Sequence, residues 1–197
     1  RGLFYDGPLE VGGDSRVLVI QTVRFFSALC SLVTVVLVFC VGHTFWGFWV
    51  GALAALFTGL APVAIQQAHF YTVDGLFTLL VMAVLGLALQ AVASERRSLL
   101  LAAGLLVGLA GATRINGLLL GAVVALTFLV GRDLVWRDAL GRIKRPDLWL
   151  AGLAALTTLL LLQPYLATQP EILLRTDFSN DFGYSFLVAR GEVLRPW

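Results

Sequence analysis

Six apolar stretches, at about 25–42, 45–67, 75–93, 98–113, 115–131 and 148–167, occupy most of the chain, and no other feature restricts its fold as strongly. A helix needs roughly 20 mostly apolar residues to cross the hydrocarbon core of a bilayer. In lipid every backbone N–H and C=O must be paired within the protein, so runs of this kind are helices, and their unalternating Leu/Ala/Val/Gly character excludes a membrane barrel. The hydrophobic content of 59%, the charged content of 13% and the mean hydropathy of +0.89 lie outside the soluble globular range. The expected fold is all-α, a multi-pass transmembrane helical bundle over 25–167. Residues 1–24 are expected as an exterior loop segment and 168–197 as an exterior loop or interfacial segment. The fourth and fifth stretches are short, which suits tilted, broken or partly re-entrant helices.

Arg1 stands where an initiator methionine would, and the chain stops at the loop-like "VLRPW"; the expectation is a fragment of a longer protein, with at least one span before it. A net charge of +2 is too small to suggest a nucleic-acid partner. Cys30 and Cys40 fall on one predicted helix about 15 Å apart, too far to bridge.

The basic residues set the orientation. "SERRS" (94–98) and "GRDLVWRDALGRIKRPD" (131–147) hold seven of the fourteen Lys and Arg residues, and short loops of this kind face the cytoplasm. Alternation then puts Asp74, the junction "GATRINGL" and residues 168–197 outside, with Arg24 at the outer mouth of the first span. Trp46, Trp49 and Trp149 fall at the opposite interface, where an aromatic belt belongs.

Arg24, Asp74 and Arg114 are the charges that border or enter apolar runs, and all three fall on the non-cytoplasmic face. Ionisable groups inside a span cost about 2.5–3.5 kcal/mol on insertion scales, so they pair or line polar cavities. Structural alternatives stand beside this. Asp74 opens a helix, where a carboxylate suits the dipole and Thr72 is placed to cap, and both arginines can snorkel to headgroups. His69 and Tyr71, in the same "HFYTVD" segment, are candidate substrate-binding residues or interfacial hydrogen-bonding groups. Asp177, Asp181 and Tyr184 form a second polar set that is either a metal or substrate site or a solvated interfacial loop. No His/Cys/carboxylate set has metal-ligand spacing, and any need for a divalent metal ion stays open. The Gly-x-x-x-Gly pairs at 47/51, 104/108 and 117/121 are expected to let helices approach closely. A transporter or channel path lined by Asp74 and the arginines is the competing reading, although none of these charges lies mid-span.

An Arg leading a small-residue-rich span, a Pro near the end of the next, "HFYTVD" opening the third and "GLLVGLAGATRING" closing a Gly-rich span together resemble the GT-C class of lipid-linked-sugar glycosyltransferases. The likeness is to bacterial relatives of protein O-mannosyltransferases and aminoarabinose transferases, and it covers about residues 20 to 130. It implies a polyprenyl-phosphate sugar donor, a lipid, glycan or protein acceptor, and an active site on the non-cytoplasmic face of a bacterial plasma membrane. It also implies that the principal catalytic acid lies in a loop before Arg1, that Asp74 matches a second acid in the cavity, and that Arg114 serves the lipid phosphate. The chemistry suits these residue types: a carboxylate takes or orients the acceptor hydroxyl proton, and arginines hold a departing phosphate.

Overall fold

The computed structural model describes residues 13–69, 73–131 and 139–168, and every regular element among them is helical. In chain order these are α1 (Gly13–Trp46), α2 (Phe48–Leu60), α3 (Pro62–His69), α4 (Val73–Ser94), α5 (Arg97–Thr113), a 3-10 turn (Ile115–Leu118), α6 (Leu119–Val130), α7 (Ala139–Ile143), α8 (Pro146–Leu162) and α9 (Tyr165–Thr168). Two segments, Gln21–Trp46 and Asp74–Ser94, are long and apolar enough to span a bilayer on their own. The other apolar runs form shorter helices at Phe48–Leu60, Arg97–Thr113, Ile115–Val130 and Pro146–Leu162.

Two expectations need correction. Residues 13–24, expected as loop, are the first turns of α1, because "VLVIQT" (17–22) joins the apolar run with no glycine or proline to stop the helix. The stretch 45–67 is not one span. Gly47, at φ 94°, ends α1 in a conformation that suits glycine, and Ala61 is extended (φ −61°, ψ 124°) because the Pro62 ring crowds a helical conformation in the residue before it.

Glycine sets the closest helix contacts. A Cβ on Gly42 of α1 would stand 2.7 Å from the Cα of Gly51 in α2, so these two helices pack backbone to backbone. Gly104 and Gly108 of α5 do the same against Ala151 and Ala155 of α8, where any Cβ would collide with the facing carbonyls. The predicted 104/108 pair thus performs the expected job, while at 47/51 only Gly51 does, with Gly42 as its partner. Buried around these crossings are Val84, Ala88 and Ala91 of α4, Leu100, Ala103 and Val107 of α5, Val124 of α6 and Ala151 of α8. The outward surface is apolar, with Trp49, Phe57 and Leu161 all more than two thirds exposed, as lipid-facing side chains are. The helix hydroxyls need no outside partner: Thr34, Thr44, Thr58, Thr127 and Thr158 each donate to the carbonyl four residues back, which satisfies them in an apolar medium.

The crossings give the bundle two distinct ends. α1 and α4 run side by side in the same direction, with Ser27 beside Gly75 and Val41 beside Gly86. α5 and α8 run together in the reverse direction. At their starts, the buried Asp147 meets Arg97 Nε at 2.9 Å and Arg145 Nη2 at 3.3 Å. The Arg97 contact is an ion pair that lacks hydrogen-bond geometry, since Asp147 Oδ1 has no hydrogen-bond partner. Pro146 occupies the first turn of α8, where its missing N–H costs nothing, and Asp147 complements the helix dipole there. At the far ends, Gln163 Nε2 donates to the Ala112 carbonyl at 2.5 Å, tying the end of α8 to that of α5.

Candidate functional site

Asp74 sits in the first turn of α4, and Arg114 is the residue that ends α5. Arg114 is held extended (φ −146°, ψ 130°) between α5 and the 3-10 turn. Its N–H still donates to the Ala110 carbonyl at 2.9 Å, and its own carbonyl accepts from Gly117 N–H at 2.7 Å. A backbone fixed on both sides aims the side chain across to α4. There its Nη2 lies 2.5 Å from Asp74 Oδ1. The guanidinium also stands 6.0 Å from the centre of the Phe77 ring, one turn along α4, within cation–π range. Thr78 donates its hydroxyl to the Asp74 carbonyl at 2.8 Å, an intrahelical bond that leaves the carboxylate free for Arg114.

Both partners are only half-buried, with the Asp74 side chain 33% and the Arg114 side chain 38% exposed. The pair is therefore reachable by a ligand. It also uses a single guanidinium nitrogen, so the other N–H groups of Arg114 stay available to a second anion.

Arg24 is not part of this contact. It lies exposed on α1, one turn from Ser27, whose carbonyl passes beside Gly75; that places it at the same end of the bundle as Asp74, with no ion pair to it. His69 is the last residue of α3, but its side chain, like Tyr71, Asp177, Asp181 and Tyr184, lies outside the described residues. Two neighbours escaped the sequence reading. Phe77 is one of 13 phenylalanines and carries no local signal. Gln163 had one, as an amide that closes an apolar run just before Pro164.

A carboxylate and a guanidinium in contact, partly open and at one end of an apolar bundle, can orient a hydroxyl and hold an anion. The family model described as dolichyl-phosphate-mannose-protein mannosyltransferase matches residues 16–166, a range that includes Arg24, Asp74 and Arg114. No curated protein and no solved structure matches the chain.

Proposed function

The chain belongs to the dolichyl-phosphate-mannose-protein mannosyltransferase family, a family of membrane glycosyltransferases with lipid-linked donors, and from that premise we propose that it moves a sugar from a polyprenyl-phosphate donor to a lipid, glycan or protein acceptor on the non-cytoplasmic face. The observation that carries this reading is the Asp74–Arg114 pair, which joins an acid and a phosphate-binding group inside the matched region.

In this reading Asp74 orients the acceptor hydroxyl and shares in taking its proton. The hydroxyl oxygen bonds to the anomeric carbon as the bond from that carbon to the phosphate oxygen breaks, and the electron pair leaves on the phosphate. Arg114, held against Phe77, meets the growing charge with the N–H groups that the ion pair does not use, and a planar fork suits paired phosphate oxygens. Arg24, at the same end of the bundle, adds positive charge there.

The test is sugar transfer in liposomes, with thermal stability followed in parallel. Asp74→Asn is expected to cut turnover by roughly 10²–10⁴-fold, the range of general acid–base contributions. Arg114→Ala is expected to weaken use of the donor, by about tenfold or more for a lost charged hydrogen bond. Full activity in Asp74→Asn would reduce the carboxylate to a helix-end group and end this assignment.

A further inference from the structure

The other end of the bundle carries an unassigned site. A cavity of about 400 Å³ opens where α4 turns into α5, and its walls among the described residues include Arg96, Arg97, Arg142 and Arg145 against Glu95 and Asp147. Four guanidinium groups facing two carboxylates give these described walls an excess of positive charge. Arg97 and Arg145 each spend one nitrogen on Asp147, Arg142 donates Nη1 to the Phe128 carbonyl at 3.2 Å, and the exposed Arg96 side chain meets no carboxylate among the described residues. Among the described residues most of their N–H groups have no further partner, and the four side chains line one hollow.

A second cavity, of about 560 Å³, lies directly along the same helices towards the middle of the bundle. On α5 the basic cavity takes Leu100 and the second takes Gly104, one turn on; on α6 the pair is Phe128 and Val124; on α8 Asp147 is followed at once by Leu148. Among the described residues this second cavity has no charged wall residue. Its long wall runs from Leu148 to Leu156, about 12 Å at the helical rise per residue. The small residues Gly121 and Gly152 keep it hollow, since a Cβ on Gly152 would meet nothing within 4 Å.

A basic hollow followed, one helical turn on, by an apolar groove matches one kind of molecule. We propose that this end of the bundle binds an anionic glycerophospholipid of the membrane, its phosphate among Arg96, Arg142 and Arg145 and one acyl chain in the groove between α5, α6 and α8. Basic pockets between membrane helices hold anionic headgroups through the same chemistry. Trp149, exposed at the rim and donating Nε1 to the Ile143 carbonyl at 2.9 Å, supplies the amphipathic ring that belongs at the headgroup level. The site is separate from the Asp74–Arg114 pair, since α4 alone puts about 30 Å between Asp74 and Ser94, and it does not depend on the proposed reaction.

The two cavities can be tested one at a time. A Cβ on Gly152 meets nothing within 4 Å, so Gly152→Leu fills the groove without disturbing the backbone, and leucine is the better helix former. Arg96→Gln removes headgroup charge from an exposed side chain that holds no ion pair among the described residues. Binding would be measured by native mass spectrometry of the purified protein, with phosphatidylglycerol and phosphatidylcholine of matched chains. Wild type is expected to prefer phosphatidylglycerol by about tenfold or more, as charge-assisted contacts allow. Arg96→Gln should reduce that preference, and Gly152→Leu should weaken both lipids. Equal binding of the two lipids, or a Gly152→Leu variant that binds as wild type does, overturns the proposal. Displacement by millimolar inorganic phosphate would show a soluble-anion site instead, and displacement by polyprenyl phosphate at equal concentration would show a donor site; each also overturns it.

Discussion

Among the described residues two aspartates meet arginines, and they differ in what surrounds them. Asp74 and Arg114 are each about one third exposed, so water and headgroups compete with the pair and its contribution to stability is about 0.2–1 kcal/mol. Asp147 is 3% exposed while Arg97 and Arg145 are 68% and 42% exposed. For the first pair, exchanging the charges in Asp74→Arg/Arg114→Asp should return the melting temperature to within a few degrees of wild type yet leave sugar transfer abolished, because the attraction is symmetric and the chemistry is not. Recovered transfer in the exchanged variant would show that only the link between α4 and α5 mattered. For the second, losing both arginines strands a buried carboxylate, whereas losing the acid strands two wet guanidinium groups. Arg97→Gln/Arg145→Gln should therefore cost about 3–5 kcal/mol and Asp147→Asn distinctly less, as read from unfolding in detergent. The two acids were not equally legible in the sequence. Asp74 stands out because charge beside an apolar run is expensive, and the same logic marks Arg114. Asp147 lies in a basic loop sequence that looks solvated, and its burial comes from α8 settling onto α5, which no local pattern displays. Arg24 carries the same sequence signal as Arg114 but forms no ion pair among the described residues, since the signal reports cost and not direction.

At the scale of the element, small residues decide how near the helices come. Gly104 and Gly152 are both glycines within helices, on α5 and α8, yet their surroundings are opposite: a Cβ on the first collides with the Ala151 carbonyl, and one on the second meets open space. Gly104→Ala should destabilise the protein by about 1–3 kcal/mol, as overpacking does. Gly152→Ala should stabilise it by roughly 0.5–1 kcal/mol through backbone entropy. Opposite shifts in melting temperature for the same chemical change would establish the α5–α8 contact; parallel shifts would refute it. The glycine spacing at 104/108 announced a crossing but not its partner, because Ala151 and Ala155 are ordinary small residues among many. Pro62 showed where the second run had to break, and its effect on Ala61 is local chemistry. The early start of α1 was missed because Arg16 and Arg24 bracket "VLVIQTV" with charge, and a hydropathy pattern discounts such flanks although a helix does not.

For the whole molecule, the arrangement makes a single demand on orientation. The turns at Glu95–Arg96 and at residues 144–145 share one end of the bundle, and the start of α4, the 3-10 turn and the end of α8 share the other. The basic residues concentrate at the first end, so that end should face the cytoplasm, and the Asp74–Arg114 pair should face outwards with the proposed acceptor. Arg96 and Asn116 are both exposed and lie at opposite ends, so each makes a usable reporter once Cys30 and Cys40 have been replaced by alanine. In intact cells an impermeant maleimide should label Asn116→Cys and spare Arg96→Cys until the membrane is opened. The reverse pattern would leave the fold and the ion pair untouched but place the pair in the cytoplasm, and transfer to an exterior acceptor could not then be its function. Labelling of both positions in sealed cells would mean that these ends do not lie on opposite sides of a bilayer. That result would contradict the bundle itself, because helices as apolar on their outer surface as α2 and α8 have lipid as the only solvent that suits them.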